Sequence, residues 1–318
     1  MKKSLPELDF SRVRLGSLLE RESRVSAEDF AEPLAPGRSL KSFAEGLPNI
    51  LAASDLKKAA FSVAQAARTG RTVMLAMGGH PVKVGLGPVI VDLFERGTLT
   101  SLSGNGSIMV HDAEVALAGV TSEDVAEGLP KGDFGVTRET GELINAAVKR
   151  AAENGRGLGR ALGELLLETK APHRSKSVLA AAARLDVPAT IHVAVGSDVY
   201  HIHPDCDGAA LGAATMDDFR LFCRLVAALD KGVFINLGSA VIMPEVFLKA
   251  LTLTRNMGFS IEDLITINMD FIKQYRPRVN VVERPTRRSG CGYSFIGHHE
   301  IMFPLLMSMV LENLAHVA

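Results

Sequence analysis

Apolar and polar positions fall into blocks with two alternating periods. The run Thr72-Val73-Met74-Leu75-Ala76-Met77 is almost continuously apolar and stops at Gly78-Gly79. A strand covered on both faces needs such a run. Ahead of it, Ala59, Ala60, Val63, Ala66 and Ala67 share one helical face and predict a helix over about 53–69. Beyond it the pattern predicts a helix near 86–96, a short strand near 98–103 and a helix from Ser107. Helices at 139–152 and 158–169 are separated by Asn154-Gly155, a helix-stop signal. A helix near 175–184 leads to the strand Thr190-Ile191-His192-Val193-Ala194-Val195, and a helix at about 216–229 to Gly232-Val233-Phe234-Ile235-Asn236-Leu237. A helix at 244–256 precedes Leu264-Ile265-Thr266-Ile267-Asn268-Met269, and a closing helix runs from about 298 to 316. Residues 1–45 are charged, carry Pro6, Pro33 and Pro36, and hold no sustained period. They read as an arm with one short helix, able to pack on a neighbour, beside a single domain over 46–318.

Strands alternating with helices predict an α/β fold, with a doubly wound, mostly parallel, Rossmann-like sheet. The strands end in small or polar groups: Gly78-Gly79, Ser103-Gly104-Asn105-Gly106, Gly196-Ser197-Asp198, Gly238-Ser239 and Asn268. Ligands of such sheets bind at the carboxyl ends of the strands, where small residues let them approach the backbone. No internal repeat or low-complexity tract interrupts the pattern.

Composition narrows the class. Among 318 residues, 47% are hydrophobic and 22% charged, which excludes a disordered chain. Lys plus Arg is 35 against 36 for Asp plus Glu, so the net charge of −1 favours neither nucleic acid nor an anionic membrane as partner. No apolar stretch is long enough to span a bilayer. The charged amino terminus argues against a secretory signal, and the 3 widely spaced cysteines argue against a disulfide framework or a cysteine-based zinc site. The expectation is a cytoplasmic protein.

Several segments carry candidate chemistry. Gly78-Gly79-His80-Pro81-Val82-Lys83-Val84-Gly85-Leu86-Gly87 follows a strand and precedes a helix, where backbone N–H groups cradle phosphate; a tight structural turn explains it equally well. Gly155-Arg156-Gly157-Leu158-Gly159 follows a helix, so it reads as a helix–helix turn. In His201-Ile202-His203-Pro204-Asp205-Cys206-Asp207-Gly208, an extended backbone would put His201, His203 and Asp205 on one side, able to hold a divalent metal. The favoured reading is a polar loop that contacts ligand over the carboxyl edge, without metal; a turn with capping aspartates is the plainer one. Gly297-His298-His299-Glu300 opens the last helix and offers acid–base groups, or a helix start with Glu300 on the dipole. Arg284-Pro285-Thr286-Arg287-Arg288-Ser289-Gly290 suits capture of a carboxylate or phosphate, or is a solvated loop. His192 reads as a satisfied core residue and His316 as inert. There is no G-x-S-x-G elbow, and nothing marks Cys206 or Cys291 as activated.

In order along residues 42–305, several of these segments resemble the deoxyhypusine synthase family. Phe43-Ala44-Glu45-Gly46-Leu47 and the helix after it resemble the segment before that family's first strand. Gly85-Leu86-Gly87-Pro88-Val89-Ile90-Val91-Asp92-Leu93 resembles its SSGLR-x-I-I helix, and Gly104-Asn105-Gly106-Ser107-Ile108-Met109-Val110-His111-Asp112 its TTGAN-x-x-HD turn. Asp207-Gly208-Ala209-Ala210-Leu211-Gly212 resembles its TDGSLG loop, Leu237-Gly238-Ser239-Ala240 stands where it has Gly-Gly-Gly, Ile267-Asn268-Met269 resembles INT, and Ser289-Gly290-Cys291 resembles SGA. The resemblance implies NAD at the carboxyl edge, tetramers with sites shared between subunits, and aminobutyl transfer from spermidine through a lysine. It places Gly78, Gly79, Gly104, Asn105, Gly106, Asp198, Gly238, Ser239, Asn268 and Met269 along the dinucleotide. Asp198 or Asp207 matches the loop aspartate.

This chain departs from that pattern. It has no Trp, and the family's Trp-Gly-Lys falls near His299-Glu300-Ile301. Lys249 and Lys273 match nothing in the pattern. The acidic residues ahead of SGA are replaced by Arg287 and Arg288, which would repel a polyamine, and the family's histidine after the glycines falls near Pro244. The expectation is therefore a deoxyhypusine-synthase-like, NAD-binding enzyme without the family lysine. It would act on a small anionic substrate held by Asp207, Arg287 and Arg288, with His298, His299 and Glu300 moving protons, as a homo-oligomer built as a dimer of dimers. The alternatives are a true aminobutyl transferase with a relocated nucleophile, a metal-dependent hydrolase at His201, His203 and Asp205, and a non-catalytic nucleotide-binding protein.

Overall fold

A computed structural model describes residues 5–315, so His316 lies outside the described residues. In chain order the elements are α1 (Leu40–Glu45), α2 (Leu51–Arg68), β1 (Val73–Met77), α3 (His80–Lys83), α4 (Gly87–Glu95), β2 (Ser101–Asn105), α5 (Gly106–Ala118), α6 (Val125–Gly128), α7 (Arg138–Asn154), α8 (Leu158–Glu168), α9 (Val178–Arg184) and β3 (Ala189–His192). There follow α10 (Gly208–Ala227), β4 (Val233–Leu237), α11 (Ile242–Asn256), β5 (Ile265–Asp270), α12 (Tyr275–Pro277), β6 (Cys291–Ile296) and α13 (His299–Ala315). Residues 5–36 lie along the surface with Phe10, Leu15, Leu18 and Leu19 exposed. Among the described residues no helix is long and apolar enough to cross a membrane.

Among the described residues, all six strands pair in parallel, in the order β3-β2-β1-β4-β5-β6. This is the doubly wound arrangement, and every carboxyl end lies on one edge. The period of two explains the layers. Met74 and Ala76 face the cluster formed with Phe222 of α10, Phe234 of β4 and Phe247 of α11, while Val73, Leu75 and Met77 face the other layer, which includes α2, α4 and α13. Phe234 and Phe247 stack with ring centroids 3.8 Å apart.

Two boundaries differ from the sequence pattern for a local reason, and one strand is additional. The strand expected over 190–195 stops at His192, because the Val193 N–H turns to Thr215 Oγ1 at 3.1 Å. The helix expected from 216 begins at Gly208, because Asp207 caps it by accepting from the N–H groups of Ala209 (2.9 Å) and Ala210 (3.0 Å). The edge strand β6 was not expected, although Tyr293 and Phe295 point inward and Ser294 outward as a half-buried strand requires. Gly155-Arg156-Gly157-Leu158-Gly159 is the expected helix–helix turn between α7 and α8.

Buried aspartates tie the helices to the sheet. Asp218 of α10 accepts from the N–H groups of Leu158 (2.8 Å) and Gly159 (3.4 Å) at the start of α8 and of Ile191 (2.9 Å) in β3. Asp112 of α5 accepts from Ser177, Val178 and Leu179 at the start of α9. Burial pushes the Asp218 carboxyl up to about 7 and the Asp112 carboxyl up to about 6. Raised values mean that the fold favours the protonated forms. Their contribution is complete below the ordinary carboxylate range and is lost as pH rises through about 6 and then about 7. Urea midpoints should therefore fall between about pH 5 and about pH 8, and Asp218→Ala should flatten that fall. At constant pH the same variant should cost about 3 kcal/mol, since buried N–H groups lose their acceptor.

Candidate functional site

The strand order reverses between β1 and β4, and their carboxyl ends meet backbone to backbone. The Gly78 N–H donates to Leu237 O at 3.1 Å, and the Gly238 N–H to Met269 O at 2.9 Å. A Cβ on Gly78 would stand 2.6 Å from the Gly238 carbonyl, and Gly238 has φ +67°, so both positions require glycine. A Cβ on Gly238 would overlap the ring of His299, the first residue of α13. His299 is fully buried, and its Nδ1 lies 2.9 Å from Nδ1 of His80, the first residue of α3. Phe271, just past β5, flanks both rings at 5.1 and 5.2 Å.

Two imidazole nitrogens at this separation share one proton, one donating as N–H and the other accepting. Burial, and next the neighbouring His80, hold the His299 ring below the ordinary imidazole value, so it stays neutral. Its Nε2 is buried without a partner among the described residues, as is Oδ1 of Asn236 in β4. Asn236 Nδ2 is occupied, donating to Asn268 Oδ1 at 2.8 Å and to Ser239 O at 3.0 Å. An unmet buried polar atom costs about 1–3 kcal/mol.

A cleft of about 160 Å³ opens on the side of β2 and β3, and is lined by Lys83, Ser107, His111, Glu114, Glu123 and Asp198, among others. Asp198 packs so closely on Gly106 that a Cβ there would overlap its carboxylate, and it accepts from Tyr200 Oη at 3.4 Å. Burial pushes its carboxyl up to about 6.

Of the residues expected to line a dinucleotide, Gly78, Gly79, Gly104, Asn105, Gly106, Gly238, Ser239, Asn268 and Met269 stand at or beside the carboxyl ends of β1, β2, β4 and β5, and Asp198 follows β3. Several are engaged by the protein itself. Ile108 fills the space beside Gly104, the Met269 side chain is core, and Ser239 Oγ accepts from the Met243 N–H at 3.2 Å. Among the expected proton-moving groups, only His299 is buried; His298 and Glu300 lie 3.8 Å apart on the surface.

The structure does not bring the expected substrate-holding set together. Asp207 is occupied as the cap of α10. Arg287 and Arg288 are exposed on the turn leading into β6, where neighbouring Gly290 packs on Leu264 and Ser289 Oγ donates to Glu262. This is the amino edge, a strand length of roughly 17 Å from His299. The basic run lies before a strand rather than after one, and without β6 in the pattern its edge could not be read. His201, His203 and Asp205 do not form a metal set: the backbone over Val199–Ile202 is a 3-10 turn rather than extended, His201 Nδ1 accepts from the N–H groups of Gly196 and Asp198, and His203 Nδ1 from that of Asp205. No cluster able to hold a metal occurs among the described residues. His192 is a buried core residue at 3.1 Å from Thr190 Oγ1, as expected. His80 was not singled out, although it directly follows the Gly78-Gly79 strand end, and that position was the available signal.

No family model matches the chain, and no curated protein matches it. Among solved structures, AgrE in a ternary complex with ornithine and NAD+ aligns at TM-score 0.52 and 14% identity over 81% of this chain, which spans 33% of the AgrE chain. A conserved LOR/SDH-type protein from Methanococcus maripaludis S2 aligns at TM-score 0.51 and 15% identity, over 83% of this chain and 70% of that one. A chain described as a deoxyhypusine synthase from Entamoeba histolytica aligns at 0.49 and 12% over 89% and 96%, too slight a likeness to carry an argument. What is shared with the first two is the Rossmann-like fold. This chain spans about a third of AgrE.

The His80–His299 contact has a measurable consequence. His80→Ala removes the second cause of the lowered His299 value, so ring-proton NMR should show that titration moving up toward ordinary imidazole. An unmoved titration would mean that His80 exerts no electrostatic hold.

Proposed function

We propose that this chain is an NAD-binding enzyme unit, with the dinucleotide along the carboxyl edge across the β1–β4 reversal and the His80–His299 pair moving a proton to or from a small substrate. The observation that carries this reading is the buried, unpartnered Nε2 of His299 at the point where doubly wound sheets bind ligands. The AgrE complex with ornithine and NAD+, on a related fold, supports it.

The residues present fit such a group. The Gly79-His80 turn would border the phosphate-bearing part, with Asn105 and Ser107 beside it, because the N–H groups of Gly78 and Gly238 already donate to Leu237 and Met269. Asp198 already places a carboxylate against Gly106, so the start of α5 is a poor second phosphate position. A bound nicotinamide supplies a hydride acceptor or donor. His299 Nε2 exchanges the matching proton with the substrate, while Nδ1 hands the shared proton to or from His80. Phe271 keeps water from the pair. Arg287 and Arg288 take no part, and Lys83 is the cation of the adjoining cleft, so the substrate charge expected from the arginines loses its support. The transferase alternative finds no amine at the expected place, since His299-Glu300-Ile301 stands there. Exposed Phe271, Ile272, Ile296 and Ile301 near this edge support the homo-oligomer, a dimer of dimers, as part of the same proposal.

The test is an equilibrium titration of the full chain with NADH, followed by ligand fluorescence. Saturable binding is expected. Gly79→Val, whose Cβ would stand 2.7 Å from Ser107 Oγ, should weaken it at least tenfold, about 1.4 kcal/mol, with circular dichroism unchanged. No saturation at millimolar NADH or NAD+ would defeat the reading.

A further inference from the structure

The cleft on the side of β2 and β3 holds an imidazole that the dinucleotide reading does not use. His111 lies on α5 with Glu114 one turn further on. Thr121, on the segment after α5, closes a chain between them. Thr121 Oγ1 stands 2.8 Å from His111 Nδ1 and donates a short hydrogen bond to Glu114 Oε2. Thr140 Oγ1 reaches Glu114 Oε1 at 3.5 Å.

The donor inventory fixes the direction of this chain. Glu114 is half-buried; burial would raise its carboxyl, but the His111 ring, with Nδ1 3.7 Å from Oε2, and the Thr121 hydroxyl outweigh that and hold it below its ordinary value. It is therefore an acceptor only. The single hydroxyl proton of Thr121 must go to Glu114, so Thr121 Oγ1 can only accept from His111. A neutral His111 then carries its proton on Nδ1 and a bare lone pair on Nε2. No hydrogen bond to that Nε2 is formed among the described residues, and the ring lines the cleft with Lys83 of α3, Ser107, and the carboxylates of Glu123 and Asp198. The same ring packs where a Cβ on Gly79 would stand, 2.8 Å from Cδ2, so it reaches the residue next to His80.

We propose that His111 is a general base of this cleft, locked in its Nδ1–H tautomer by Thr121 and Glu114, for a small ligand that presents an O–H or N–H proton. The ligand's proton passes to Nε2, its bonding pair stays on the ligand oxygen or nitrogen, and the resulting imidazolium is balanced through Thr121 by Glu114. Thr121 and Glu114 are positioning residues. The inference goes beyond the dinucleotide reading and survives its failure, because the relay and cleft are present whether or not NADH binds.

Long-range proton–nitrogen NMR of the full chain at pH 8 reads the tautomer directly. The wild type should show protonated Nδ1 and bare Nε2. Thr121→Ser should keep that state. Thr121→Val removes the acceptor, and Glu114→Gln lets an amide donate to Thr121 and reverse the chain, so both should move the proton to Nε2. A residue that only packs would not give this split between serine and valine. Diethyl pyrocarbonate, which acylates a bare accessible ring nitrogen, should label His111 in the wild type at least fivefold faster than in Glu114→Gln, with exposed His298 as the internal reference. A wild-type Nε2–H tautomer, or an unlabelled His111 beside a labelled His298, would overturn the proposal.

Discussion

The close approach of β1 and β4 at their carboxyl ends governs this molecule. Gly78 lies against the Gly238 carbonyl, and Gly238 takes a left-handed backbone that turns the chain away from β4. Any side chain at Gly78 would push the two central strands apart just where they are fully buried. With only hydrogen at Gly238, α13 can begin with its imidazole resting on the strand tip. The His80–His299 pair, the shield of Phe271 and the unmet nitrogen all follow from that one spacing.

Much of the fold was legible because buried parallel strands and amphipathic helices have different periods. The runs ending at Met77, Leu237 and Met269 were found within a residue or so. Edge elements were less legible. Cys291–Ile296 alternates correctly but exposes Cys291, Ser294 and Ile296 and opens with Cys-Gly, so its pattern is weaker than a buried run. Missing it hid the location of Arg287 and Arg288, because a loop before a strand and a loop after one look alike in composition while lying at opposite ends of the sheet.

The site was legible in part for a chemical reason. Gly, Asn, Ser and Asp at strand ends and helix starts serve a ligand or serve the backbone, and the sequence does not distinguish these uses. Here Asp207, Asp112 and Asp218 satisfy helix N–H groups, and Ser239 does the same for α11. Histidine serves the backbone too, as His201 and His203 do, but a buried imidazole such as His299 is costly. His80, His111 and His299 all cluster around Gly79 and Gly238, from three helices far apart in sequence. Only the folded sheet makes them neighbours.

The two imidazole arrangements differ in a way that suits different work. At His80–His299 the proton sits between two imidazoles, one donating as N–H and the other accepting, so the hydrogen bond can run in either direction. At His111 a carboxylate two bonds away fixes the direction, so Nε2 is held ready to accept. The first arrangement is buried and sits on the central strands; the second opens on a polar cleft toward β3. Gly79 stands between them, in reach of the His111 ring and adjacent in sequence to His80. A substrate proton accepted at the cleft and one exchanged at the crevice would thus be separated by a single glycine. Any side chain at that position would enlarge the gap, which gives Gly79 a role that its place in a tight turn alone would not require.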